Sequence, residues 1–411
     1  MKKKVLIICD LFPPAFGPRM GYLCKYLNNS EWQPVVLTEA MDDSTFSFLE
    51  GYCPVTYVDF YPSKQPLIHR LQWLFTFLTG NKERKMYRKA KELVTKNDFS
   101  LILCSTYRTF PLTTAARIAK EQHLPLVTDL RDIIEQYSGT EFIARPLPKL
   151  FGLEKWIAGC FKRRSLKERN KALRQAACVT TVSPWHVETL KAYNPNVQLI
   201  YNGFDPELFF PERKTTQQFT ITYTGRVLST AMRDPSLLLE ALALLHKNGR
   251  LSAEECRVKW YVDDASRRII EQEAENAGVS SFMDFENYIP AAKIPSVLNN
   301  SSILLLLTNR SAGDGPKGIM TTKFFEALAV ERPILCVRSD ESYLEAALSQ
   351  SKAGVAARQK EEVVCFLEKY YKEWKEKGYT TSETDRNILK NYSREGQARQ
   401  FIHIFETLTN N

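Results

Sequence analysis

Short apolar runs, many of them β-branched, alternate along the chain with amphipathic stretches, the pattern of βα units built on parallel sheets. Such runs at 5–9, 34–38, 55–60, 101–104, 126–129, 178–182 and 197–200 predict a first series of strands. A second series starts at 219–223 and continues at 258–262, 282–285, 303–307, 333–337 and 354–357. Apolar spacing of about 3.6 residues predicts helices over 235–247, 266–277, 322–330 and 361–375. The two series meet at 201–216, a polar stretch with Asn202-Gly203, Pro206 and Pro211 that reads as turn and linker. The organisation expected is therefore α/β: residues 1–210 as one Rossmann-like domain, 211–380 as a second, and 381–411 as a helical tail. That tail carries apolar Ile388, Leu389, Tyr392, Phe401, Ile404 and Phe405 and needs a surface to cover, for which the first domain is the candidate.

Length supports the division, since 411 residues exceed what one hydrophobic core organises. Hydrophobic content of 44% with 25% charged residues is ordinary globular composition. The nine cysteines form no C-x-x-C pair, and several lie in strand runs, so they read as reduced core thiols of a cytosolic protein. The first apolar run is too short for a signal peptide, and no run has the length of a spanning helix. Net charge is +9, concentrated in two windows: 61–91 holds eight Lys/Arg against one acid, and 145–174 holds ten against two. No nucleic-acid-binding module accompanies them. Basic residues interleaved with aromatics, as in 66–79 and around Phe161-Lys162-Arg163-Arg164, suit an anionic membrane surface, or else are solvated helix faces with core aromatics.

Candidate chemistry gathers at strand ends. After the first strand comes Leu-Phe-Pro-Pro-Ala-Phe-Gly-Pro-Arg-Met-Gly at 11–21, a Gly/Pro loop leading into a helix. This places Gly17 either where a phosphate or sugar approaches the backbone or in a plain βα turn. Later, the glycine-rich run from Gly313 to Gly318 precedes a helix carrying Lys323 and Glu326. Free N–H groups of Met320, Thr321 and Thr322 at that helix start, with Lys323, suit a diphosphate. The bland reading of this pair is a solvated i, i+3 contact. Arg226 follows a strand end, where it can bind diphosphate oxygens and offset charge on a leaving group, or be a surface arginine after a turn. Arg233 is a weaker second cation.

These segments carry a resemblance. The first strand with F-P-P-x-x-G-x-R-x-x-x-L resembles the start of family 4 retaining glycosyltransferases of GT-B fold. In the same order, Val127-Thr128-Asp129-Leu130-Arg131-Asp132 resembles a bacterial "DFRD" segment, and Val179–Ser183 a strand ending in serine. Ile200-Tyr201-Asn202-Gly203-Phe204-Asp205 resembles the linker entry, and Tyr223-Thr224-Gly225-Arg226 the turn opening the second domain. Lys323-Phe324-Phe325-Glu326-Ala327-Leu328-Ala329 followed by Arg332-Pro333 resembles the K-x-x-E-x-x-A-x-x-x-P signature. The matches span 5 to about 337.

The resemblance implies two Rossmann-like domains facing across a cleft. The second would bind a nucleoside-diphosphate sugar through Gly318, Met320 to Thr322, Lys323, Glu326, Arg226 and Arg233, with Glu326 accepting the ribose hydroxyls. The first would present a glycan or lipid-diphosphate-linked acceptor. Asp129 or Asp132 would orient the acceptor hydroxyl, or with Arg131 the segment is a salt-bridged loop. The sequence departs from the family twice: Ala231 stands where a second cation is common, and Gly318 where a first glutamate is common. Transferases of this fold neutralise diphosphate with protein cations, so no metal and no further cofactor is expected, and Asp263-Asp264 reads as a solvated turn. The function implied is a cytoplasmic retaining transferase, peripheral on the inner face of a membrane, in bacterial surface polysaccharide synthesis. Two rival expectations are a sugar-nucleotide epimerase of the same fold and a non-catalytic protein that has kept it.

Overall fold

The computed structural model describes residues 2–410 except 64, 138–141, 144–151, 228, 231–232, 288, 309–319 and 340–341, and leaves out the side chains of 77, 78 and 291. The chain divides into two compact units, one formed by 1–201 with 394–411 and the other by 202–393.

In the first unit, strands β1 (Lys3–Cys9), β2 (Trp32–Glu39), β3 (Val55–Val58), β4 (Leu101–Thr106), β5 (Leu126–Leu130), β6 (Cys178–Thr181) and β7 (Val197–Leu199) form one sheet. Their order is β3-β2-β1-β4-β5-β6-β7, and every pairing is parallel. Strand period fixes which face each residue serves. Along β1, Leu6 and Ile8 pack with Leu37, Cys104 and Ile118, while Val5, Ile7 and Cys9 pack with Leu23, Val36 and Leu103. Both faces are buried, so the strands read as unbroken apolar runs.

One face is closed by the end of the chain. The Arg394–Thr409 helix lies beside the Pro18–Leu27 helix and buries Phe401, Ile404 and Phe405 in this core, with Phe405 edge-on to Trp32 at 5.2 Å. Each fully buried phenylalanine contributes on the order of 2–3 kcal/mol.

The second unit repeats the plan. Strands β8 (Phe219–Thr224), β9 (Cys256–Tyr261), β10 (Met283–Glu286), β11 (Ile303–Leu307), β12 (Ile334–Val337) and β13 (Gly354–Ala357) form a parallel sheet in the order β10-β9-β8-β11-β12-β13. Its core joins Phe219, Trp260, Leu242 and Phe282 with Tyr370 and Trp374 of the Lys360–Lys377 helix. In each sheet the strand order reverses beside the first strand of the unit, at β1/β4 and at β8/β11. Loops leaving the carboxyl ends there diverge and open a crevice for ligands.

The contact division falls at Tyr201, while the turn-forming composition points to about 210. The reason is that the linker entry already belongs to the second unit. Phe204 bridges to Ser393, and its N–H donates to the Tyr392 carbonyl at 3.0 Å.

Candidate functional site

In the second unit, chemistry collects where β8 ends. Gly225 has φ of 135°, a conformation that L side chains rarely adopt. A Cβ there would occupy the space of the Lys323 ammonium, so Lys323 lies directly against the Gly225 backbone. Lys323 sits in the first turn of the Thr322–Ala329 helix. Thr321, the cap, is extended and makes no side-chain cap bond, which leaves first-turn N–H groups without the usual partner.

Two cations meet Tyr223. Its hydroxyl donates to the Arg226 carbonyl at 2.9 Å and bonds the Arg233 side chain, while the Lys323 Nζ lies 6.0 Å from its ring. Burial holds Lys323 below the ordinary lysine value, Arg233 and Arg226 push it the same way, and Glu326 pulls it back. An anionic ligand beside Lys323 would act against that lowering and favour its charged form. Thr308, Thr321 and Arg233 line a cavity of about 40 Å³ beside it. Arg226 itself reaches outward and pairs with Asp263 at 3.2 Å. Asp263 caps the Asp264–Asn276 helix by accepting from the Ser266 N–H at 2.9 Å. Buried Asp234 accepts from Arg338 at 2.7 Å and donates its N–H to the Thr308 carbonyl, tying the segment after β8 to the end of β11. Met320 buries its side chain, leaving only its backbone for a ligand, and Gly318 lies outside the described residues.

In the first unit, Asp10 follows β1 and Tyr107 follows β4. Asp10 accepts from the Tyr107 N–H at 2.9 Å and the Thr106 hydroxyl at 3.1 Å, and pairs with Arg131 at 2.5 Å. It opens onto a cavity of about 600 Å³ whose polar lining includes Asp10, Glu39, Lys82, Arg108, Asp132 and Tyr137. Trp73, Phe110, Phe142 and Phe161 supply aromatic wall. Burial pushes the Asp132 carboxyl up, against hydrogen bonds from Gln136 and Tyr137 and the charge of Arg131. The Tyr137 hydroxyl donates to Asp132 at 3.3 Å, and burial beside that carboxyl raises Tyr137 to about 12. His186, fully buried and pushed down to about 4 by that burial, bridges Thr181 at 3.0 Å and Gln136 at 3.1 Å behind Asp132. Glu39, raised by burial, is met by Lys82 at 2.6 Å, which lies 4.3 Å over the Phe110 ring.

Two sequence-based readings need correction. Asp129 cannot meet an acceptor hydroxyl, because it is 0% exposed and its oxygens are taken by Arg19 (2.9 and 3.0 Å), Ser105 (2.9 Å) and Thr180 (2.8 Å). Burial would raise its carboxyl; Arg19 keeps it below the usual value. Gly17 is buried against the chain itself, where an added Cβ would lie 2.6 Å from the Phe12 Cα, so it serves packing of the loop and not a ligand. Arg131 holds the loop through Asp10, the structural alternative for that segment. Of the residues expected to act together, Arg226, Arg233, Lys323 and Glu326 gather at one site and Asp132 lines another. Asp10, Glu39, Lys82, Tyr107 and Tyr137 were missed. Asp10 is the one with a signal, as a carboxylate closing the first strand at a switch point.

No curated protein matches this chain by sequence. Among solved structures, a glycosyltransferase from Rickettsia africae is similar at 13% identity over 100% of this chain and 99% of its own, with a TM-score of 0.65. HepE of Anabaena, solved in complex with UDP, is similar at 14% identity over 99% and 100%, with a TM-score of 0.63. Sucrose-phosphate synthase from Thermosynechococcus elongatus gives 14% identity, 99% of both chains and a TM-score of 0.62. Likeness at this identity shows the fold, two Rossmann-like domains. Residues 19–208 match the family model of Glycosyltransferase Family 4 and are similar to that family.

Proposed function

We propose that this chain is a glycosyltransferase that retains anomeric configuration while moving a sugar from a nucleoside-diphosphate sugar to a glycan or lipid-linked acceptor. The carrying observation is the meeting of Arg233 and Lys323 at Tyr223, with the charge of Arg226 also felt by Lys323, next to a helix start without a side-chain cap. Dipole and cations together favour a diphosphate there. Glu326, one turn further on, takes the ribose hydroxyls. As the glycosidic bond breaks, negative charge moves onto the departing diphosphate, where the same cations stabilise it without a metal. In the first unit Asp132 orients the acceptor hydroxyl, and the leaving diphosphate assists removal of its proton on the same face.

Nucleoside diphosphates screened by thermal shift test this reading, with UDP first because HepE was solved with UDP and with UDP-glucose. One diphosphate should stabilise the wild type, with a smaller shift for Arg226→Ala and Glu326→Ala. No shift with any nucleotide would remove the donor site.

The acceptor reading extends to a membrane, in surface polysaccharide or glycolipid synthesis. The Pro66–Thr79 helix turns Trp73 and Thr76 into the cavity and exposes Leu67, Ile68, Leu71, Leu74 and Phe75. Arg84, Lys85, Arg88, Lys89 and Lys91 follow in the Asn81–Lys96 helix, and Trp156 is exposed at the start of the Leu153–Gln175 helix. No described helix is long and apolar enough to cross a bilayer, so contact would be peripheral. Sedimentation with phosphatidylglycerol vesicles should carry the wild type down and leave Leu71→Glu/Phe75→Glu in solution. Equal sedimentation of both would sink this part.

A further inference from the structure

Four aromatic rings run from the cavity of the first unit onto its surface. Tyr107, in the cavity wall, stacks with Phe16 at 6.1 Å and 29°; Phe16 meets Phe46 at 5.6 Å, and Phe46 meets Phe48 at 5.8 Å. These separations are ordinary for paired rings, so the four make one continuous face. That face is not covered: Phe16 is 49% and Phe48 50% exposed, and neighbouring Met41, which also lines the cavity, is 48% exposed. Contiguous apolar surface of this kind marks a place where something binds.

The platform is fixed. The Phe46 N–H donates to the Pro14 carbonyl at 2.9 Å, and Asp43 accepts from the Phe16 N–H and from Thr45 at 3.0 Å, lacing the segment after β1 to the segment after β2. Tyr57 adds a bond from its hydroxyl to the Pro13 carbonyl at 2.9 Å. Such rings are held in place before a ligand arrives, which lowers the ordering cost of binding.

Charge separates this surface from the basic helices of the same unit. From 41 to 50 the chain carries Asp42, Asp43 and Glu50 and no lysine or arginine. An acidic surface repels anionic lipid. Exposed ring faces beside carboxylates suit a neutral polyol: the C–H face of a pyranose stacks on the ring, and its hydroxyls donate to the carboxylates.

We infer that Phe16, Phe46 and Phe48 form a track that holds the sugars of an extended acceptor behind the one in the cavity, so that this transferase lengthens an oligosaccharide. The inference rests on reading that cavity as the acceptor site. It changes what the acceptor must be, from any molecule offering one hydroxyl to a chain long enough to reach from Tyr107 to Phe48.

The test is a binding titration with malto-, cello- and chito-oligosaccharides, from mono- to hexasaccharide, followed by saturation-transfer NMR. In at least one series the wild type should gain about tenfold in affinity with length, as two or three stacked rings would give. Phe16→Ala/Phe48→Ala should abolish that gain, and Phe16→Trp/Phe48→Trp, which keeps the rings, should retain it. The same gain in the alanine variant would overturn the track, as would no gain in any series. Binding to phosphatidylglycerol vesicles lost in the alanine variant would also overturn it and make the rings a membrane contact. UDP binding on the same samples reports on the second unit, so failure of the donor reading is told apart from failure of the track.

Discussion

Arg19→Ala is expected to lower the stability of the first unit by about 3–5 kcal/mol, the cost of leaving a buried carboxylate without its partner. Asp129 is wholly buried and Arg19 supplies its counter-charge through two hydrogen bonds. The same guanidinium donates to the carbonyls of Ile200 and Tyr201 at 2.9 and 3.0 Å and lies 5.3 Å from the Phe401 ring. One side chain therefore joins β5, the end of the first unit's main segment and the terminal helix. Urea unfolding followed by circular dichroism would measure the loss. Adding Asp129→Asn should restore much of it, since the amide carries no charge and can still bond Ser105 and Thr180. A loss below about 1 kcal/mol would mean that water reaches the carboxylate.

The second large effect belongs to Lys323. Lys323→Ala should reduce kcat/KM on the order of 10²–10³-fold, the range seen when one preorganised group is removed from a developing charge. Gly225→Ala should act in the same direction, because its methyl would take the place of the ammonium. A pH signature accompanies this. In the free protein Lys323 is held below 10.5, and a bound diphosphate would raise it again. Affinity should be full at pH values below the free-protein value, where the ammonium is already charged. It should fall as pH rises through that value, because binding must then take up a proton. Calorimetry in buffers of different ionisation enthalpy would count that proton. Affinity flat across the lysine range, or a Lys323→Ala variant that keeps full kcat/KM, would exclude the role.

The thirteen strands among the described residues were legible in the sequence because a parallel sheet covered on both faces demands runs such as Leu6-Ile7-Ile8 and Leu304-Leu305-Leu306. Strand-end position pointed to Arg226 and helix-start position to Lys323, and the structure places Arg226 after β8 and Lys323 in the first turn of its helix. Strand-end position could not separate Asp129 from Asp132. Three residues apart on one segment, they differ only in what the rest of the fold packs against them: Thr180 and Arg19 around the first, open cavity beside the second. Gly17 misled for a similar reason, since a glycine that admits a ligand and one that admits its own chain look alike in sequence. The cavity was illegible because Asp10, Trp73, Tyr137 and Phe161 come from four distant segments.

The path of the chain also has a consequence for how the protein is made. Residues 202–393 are contiguous and can complete their core as soon as they leave the ribosome. The half synthesised first cannot, because the helix that seals its sheet is Arg394–Thr409. The usual order, in which the N-terminal domain folds first during synthesis, is thus reversed. Until the Arg394–Thr409 helix has emerged, an apolar face bearing Trp32 and Leu23 stays open to chaperones and to other nascent chains. In the finished fold Lys3 donates to Thr409 at 3.0 Å and to Asn410 at 2.6 Å. A circular permutant joining these neighbours, with its new ends in the linker near Tyr201, would let the first unit emerge in one piece.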